Sequence, residues 1–277
     1  MLLGGITLIS ALVAAAFCFG FDAFAGLAWL WLLPVTFVGT FLVGLAAVFL
    51  FVYFACELVD QDVPQEHDSK FYRKMTYLII DLLIPLVRAK IHTKGLENTP
   101  KDGRFVLVCN HLHLADPVLL MGYFRQSQLA FISKQENRDM FIIGKLMHRL
   151  MCQTLDRDHD RQALKVILKC IQLIKEDEVS IGVFPEGYTS KDGKLHHFRN
   201  GVFKIAQKAN VPIVVCTIQG TRDLFHNLKR LKPTDIELHL VGVVPAEELK
   251  GKTTIEIGER VHAMMAEDLG PEKVAEE

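Results

Sequence analysis

Val106-Leu-Val-Cys-Asn110-His111-Leu-His113-Leu-Ala-Asp116-Pro117 is an apolar run that stops abruptly in polar residues and then turns into a helix-like pattern. Continuous apolar residues without alternation suit a strand covered on both faces. Polar groups at the end of such a strand occupy the place where α/β proteins set their sites. Further runs rich in Val and Ile follow at 129–133, 179–184, 211–218 and 236–244, and the first extends back to Phe105. Between them 161–176, with apolar residues at 164, 167, 168, 171 and 174, reads as a helix, as do 201–209 and 255–269. This alternation predicts an α/β fold with a mostly parallel central sheet flanked by helices.

The 277 residues are 50% apolar and 23% charged, with 10 prolines and 19 glycines, which excludes disordered, collagen-like and disulfide-scaffold classes. Charge is distributed unevenly. No Lys or Arg precedes Lys70, and up to Gln65 the charged residues are Asp22, Glu57, Asp60 and Asp62. The uncharged runs 1–21 and 23–56 both exceed the ~18 residues expected of a membrane span. At ~1.5 Å per residue the second outlasts one crossing, so its beginning, around 25–33, is expected as a turn or interfacial lead-in bearing Trp29 and Trp31. The first run has no positive n-region, and another apolar run follows it, so a retained transmembrane helical hairpin is expected over 1–56 rather than a cleaved signal.

An acidic linker and an amphipathic helix are expected over 57–92, and a globular domain over 93–277. In that helix Phe71, Met75, Leu78, Ile79, Leu82, Leu83 and Leu86 recur at three-and-four spacing, bracketed by Lys70, Arg73, Lys74, Arg88 and Lys90. The pattern suits an anionic membrane surface or core packing equally. Because the basic residues begin just after the second run, the positive-inside rule predicts an integral membrane protein with its domain on the cytoplasmic side. The six cysteines form no CxxC pair and read as buried, reduced thiols. A mildly basic, aromatic-poor domain gives no sign of nucleic acid as a partner.

Three places carry candidate chemistry. His111 can take a proton near neutral pH, and Asp116, five residues on, can hold its other ring nitrogen. Asp before Pro is equally a common helix start, and His113 opens a weaker possibility of zinc held with His111 and Asp116. Val183-Phe184-Pro185-Glu186-Gly187-Tyr188-Thr189-Ser190 is a second apolar strand running into a turn-forming loop, which presents a carboxylate and amides. Arg157, after Leu155-Asp156, is a candidate grip for phosphate, and otherwise half of a surface ion pair.

Together these pieces resemble the glycerolipid acyltransferase family, which includes the 1-acylglycerol-3-phosphate acyltransferases. Four blocks occur in order: Asn110-His111 to Asp116-Pro117 as the His-x4-Asp block, the stretch closing at Asp156-Arg157, Phe184-Pro185-Glu186-Gly187 with Ser190, and Val211-Pro212-Ile213-Val214. The likeness covers roughly 95–220. It implies the glycerol-3-phosphate acyltransferase-like fold and a catalytic pair, His111 as general base and Asp116 as its orienting partner. It further implies substrate-binding roles for Asn110, Lys134, Arg157, Pro185, Glu186 and Gly187. The partners implied are the phospholipid bilayer, a lysophospholipid acceptor, and acyl-CoA or acyl carrier protein as co-substrate, with no cofactor and no metal. One departure stands out, because the family's Thr-Arg in the third block is Tyr188-Thr189 here. Either Arg157, Lys134, Arg199 or Lys204 then carries the acceptor phosphate, or the head group differs. A transacylase, a zinc hydrolase and a non-catalytic lipid-binding protein are the rival readings.

Overall fold

The computed structural model describes residues 2–155 and 160–275. The chain divides into two compact units, Met1–Asp62 and Val63–Glu277.

The first unit is a pair of helices, α1 (Leu2–Gly20) and α2 (Trp29–Glu57), packed against each other. Both are long and apolar enough to cross a membrane. Large apolar side chains such as Leu12, Phe19, Val43 and Phe54 point outward, where water would penalise them. At 29 residues α2 is ~43 Å long, more than the ~30 Å hydrocarbon core of a bilayer. The lead-in expected around 25–33 is shorter than that, because the helix already begins at Trp29.

The second unit opens with α3 (Lys70–Leu86), followed by β1 (Ala89–Lys94), β2 (Val106–Cys109), α4 (Asp116–Tyr123), β3 (Leu129–Lys134), α5 (Ile143–Arg149) and β4 (Gln153–Leu155). Then come α6 (Asp160–Lys175), β5 (Ser180–Val183), α7 (Lys204–Ala209), β6 (Ile213–Gln219), α8 (Leu224–Lys229), β7 (Thr234–Val244) and α9 (Thr254–Leu269). The seven strands form one sheet in the order β1-β7-β6-β2-β5-β3-β4. Every pairing is parallel except β6 with β7. The expected α/β fold with a mostly parallel sheet is what the molecule adopts. The boundary expected at 92/93 falls inside β1, so the domain begins earlier. Ala-Lys-Ile-His-Thr-Lys carries no apolar run because β1 is an edge strand.

Side chains of the central strands alternate between two cores. Val106, Val108, Ile181, Val183, Ile213 and Val215 pack with α6, α7 and α9 on one face. Leu107, Cys109, Leu129, Phe131, Val214 and Cys216 pack with α3 and α4 on the other. Covering both faces removes the need for polar alternation, which is why these strands read as solid apolar runs. All six cysteines are free thiols.

α3 divides its apolar residues unexpectedly. Tyr72, Met75, Thr76, Ile80 and Leu82 are buried, whereas Phe71, Leu78, Leu83 and Leu86 are exposed. Arg73, expected with the surface basic residues, is instead buried at 3% exposure. Its guanidinium makes two bonds to Asp68, at 3.0 and 2.6 Å, and donates to the carbonyls of Leu129 and Leu150. A buried arginine is tolerable when its donors are matched in this way.

Candidate active site

β2, β5 and β6 are adjacent and parallel, so their C-terminal ends meet at one edge of the sheet. The loops leaving β2 and β5 form the site there, and β6 supports them. Asn110 is the first residue beyond β2. Its amide Nδ2 donates to the Ile218 carbonyl at 2.9 Å and its Oδ1 accepts from the Ile218 N–H at 2.8 Å, so a side chain continues the ladder. Asn110 is 2% exposed and both amide atoms are engaged. Its side chain is thus committed to the backbone of β6.

His111 follows on this rigid base. Its Nδ1 lies 2.9 Å from Asp116 Oδ2. The same oxygen accepts the backbone N–H groups of Leu112 and His113, each at 2.7 Å. With the ring Nδ1 and two backbone N–H groups gathered on one buried oxygen, the imidazole is held so that Nε2 is the ring nitrogen turned away from Asp116. Asp116 is fully buried, and its Oδ1 finds no partner among the described residues. It does not cap α4, whose cap position is Ala115; the carboxylate turns back to organise the loop before the helix. The Asp-Pro pair therefore serves both readings, with Pro117 in the first helical turn and Asp116 facing the histidine.

The β5 loop holds His111 by its backbone. Glu186 Oε1 accepts the His111 N–H at 3.0 Å, and Ser190 donates its N–H to the His111 carbonyl at 2.7 Å. The other Glu186 oxygen accepts the His196 N–H at 3.1 Å. Glu186 is 1% exposed, and burial pushes its carboxyl up to about 7, opposed by these two hydrogen bonds. Phe184 stacks on the His111 ring with centroids 4.1 Å apart, and it also stacks with Phe131 at 5.5 Å. Phe131 lies against Gly182, where a Cβ would come within 2.3 Å of the ring. A glycine in β5 thus sets the aromatic stack that flanks the histidine.

His113 accepts the Ala115 N–H on Nδ1 at 3.2 Å and packs edge-on against Phe225. Burial lowers its pKa. Its Nδ1 is thus used internally, as is that of His111, and no group of three or more His, Cys, Asp or Glu among the described residues is arranged to hold a metal ion.

Pro185 and Gly187 line a cleft beside Phe184, together with Ser133, Leu155 and Arg199. Lys134 sits exposed at the end of β3, on the same edge of the sheet. Arg157 lies outside the described residues. Phe184, Ser190 and His196 are the working contacts that sequence reasoning did not single out. Phe184 and Ser190 stood inside a quoted block without a role, and the polar run His196-His-Phe-Arg199 after it was the available signal.

Residues 90–219 match the acyltransferase family model. Its relatives are more particular. The chain is 29% identical over 181 residues to a probable 1-acyl-sn-glycerol-3-phosphate acyltransferase of Mycoplasma pneumoniae, covering 64% of this chain and 67% of the relative. It is 36% identical over 133 residues to the chloroplastic 1-acyl-sn-glycerol-3-phosphate acyltransferase LPAT1 of Arabidopsis thaliana, covering 48% of this chain and only 36% of that one. In fold it is similar to the crystal structure of the 1-acyl-sn-glycerophosphate acyltransferase PlsC of Thermotoga maritima, with TM-score 0.62 and 24% identity over 82% of this chain and 89% of the other.

Proposed function

We propose that this chain is a 1-acylglycerol-3-phosphate O-acyltransferase. It moves a fatty acyl group from acyl-CoA or acyl carrier protein to the free hydroxyl of the lysolipid, giving phosphatidate for phospholipid synthesis. The observation that carries the reading is the His111–Asp116 pair, 2.9 Å apart at the end of a parallel strand inside an acyltransferase domain. The names of the relatives support the same acceptor. His111 Nε2 takes the hydroxyl proton as that oxygen attacks the thioester carbonyl. Asp116 stabilises the imidazolium so formed. Collapse of the tetrahedral intermediate breaks the C–S bond, and the proton on His111 passes to the departing thiolate. Glu186 and Ser190 keep His111 in place, and Lys134 and Arg157 are expected near the substrates' charged groups.

The outward apolar surface of α1 and α2 supports a bilayer-spanning hairpin, and the first basic residues after it, from Lys70, support a cytoplasmic domain. A lipid acceptor that never leaves the bilayer suits such an enzyme. A different lysophospholipid head group is favoured by one observation: where the family carries Thr-Arg, an exposed Tyr188 ring lies 5.6 Å from His196.

The test is thiol release from acyl-CoA, or from acyl carrier protein, by the detergent-purified chain with lysophosphatidate, other lysophospholipids and glycerol-3-phosphate in parallel. Release with lysophosphatidate that disappears in His111→Ala is expected. Preference for another lysolipid would move the assignment to that head group, and no release with either donor would overturn acyl transfer.

A further inference from the structure

The cleft beside His111 is lined mainly by apolar side chains, and Arg199 is the charged residue among them. Its backbone N–H donates to the Pro185 carbonyl at 2.8 Å, which ties the arginine to the β5 loop. Its side chain lies across Gly187, where a Cβ would stand 3.0 Å from Arg199 Cδ and 3.1 Å from Nε. Gly187 has φ +80°, so the residue that turns the loop also makes room for the guanidinium. Arg73, Arg104, Arg125 and Arg260 each pair with a carboxylate, at Asp68, Asp177, Asp81 and Glu248. Arg199 has no such partner among the described residues. Among the described residues its planar fork is therefore unpaired, beside an apolar cleft whose Phe184 wall stacks directly on the His111 imidazole.

A guanidinium with free donors beside apolar walls fits a ligand that is both anionic and hydrophobic, and phosphate oxygens match the fork in bidentate geometry. We infer that Arg199 is a specificity-determining residue that binds a phosphate group of one of the two substrates, either the monoester of the lysolipid acceptor or a phosphate of coenzyme A. The inference rests on the acyl-transfer reading for the identity of those substrates. Arg199 takes no part in the proton transfer; it holds the substrate while His111 reacts.

Equilibrium binding to the full-length detergent-solubilised chain tests it without turnover. Lysophosphatidate, its phosphate-free counterpart 1-acylglycerol, and coenzyme A are titrated into wild type, Arg199→Ala, Arg199→Lys and His111→Ala. Arg199→Ala is expected to weaken one phosphate ligand at least tenfold and to leave 1-acylglycerol unchanged. Arg199→Lys should recover part of the loss through its point charge, and His111→Ala should bind like wild type. Loss confined to lysophosphatidate assigns the acceptor phosphate, and loss confined to coenzyme A assigns the donor. Unchanged affinity for both, an equal loss with 1-acylglycerol, or no binding of either by wild type overturns the inference. Thiol release measured alongside separates the two ideas: Arg199-dependent binding without turnover sinks acyl transfer alone, and turnover with Arg199-independent binding sinks this inference alone.

Discussion

The loops that follow β2 and β5 each bury one carboxylate, and the two are used in opposite ways. Asp116 concentrates three donors on a single oxygen, one of them the ring of His111. Glu186 spreads its two oxygens over two backbone N–H groups, one from each loop, and touches no reacting side chain. Under the proposed function the first arrangement orients and electrostatically supports a base. The second fastens one loop to another. The same side-chain chemistry yields a participant or a clamp according to what its oxygens face.

Breaking the β2 side should give the largest effect. Asp116→Asn or His111→Ala is expected to lower the rate of thiol release ~10³–10⁴-fold, as loss of a base or its orienting carboxylate does elsewhere. Circular dichroism and lysolipid binding should show a folded protein in His111→Ala; retention of more than a tenth of the activity would remove His111 from its role.

Breaking the β5 side should cost stability first. Glu186→Ala removes the acceptor of two part-buried N–H groups, at up to ~1 kcal/mol each, and thermal unfolding should report the loss. If melting is unchanged while only activity falls, Glu186 belongs with the chemistry and the contrast fails.

The contrast sharpens with pH. A carboxyl raised from 4.5 to about 7 in the fold binds its proton more tightly there than in the unfolded chain. Its stabilising contribution is complete below pH ~4.5 and is lost as pH rises through about 7. Denaturant unfolding should therefore show wild type losing stability across that window. Glu186→Gln should flatten the slope, and an identical slope in both would place the titration elsewhere.

The smallest expected effect is indirect. Gly182→Ala places a methyl against Phe131 and displaces the ring that stacks on Phe184. Overpacking of this kind costs ~1–3 kcal/mol, and a several-fold fall in kcat should accompany the lower melting temperature. Unchanged kcat would show that the aromatic stack is only core.

The central strands were legible because burial on both faces turns them into uninterrupted apolar runs. β1 and β4 were not, being a polar edge strand and a three-residue edge strand. His111, Asp116 and Glu186 were legible as types in a pattern. What escaped was long-range: Asn110 bonds Ile218 across 108 residues, and His196 reaches Glu186 through a backbone donor that any residue but proline could supply. The helical period of α3 was correct, but which side faced the sheet depended on Arg73 finding Asp68 and two carbonyls, and no spacing rule encodes that.

That arginine also anchors the beginning of the domain. Its guanidinium grips Asp68 on one side and the carbonyls of Leu129 and Leu150 on the other, while Asp68 N–H and His67 both hold Glu178 and the Ser69 N–H holds the Arg149 carbonyl. The segment just before α3 is thereby fastened to β3, to the end of α5 and to the turn that precedes β5, so the start of the domain is stitched to three places far along the chain.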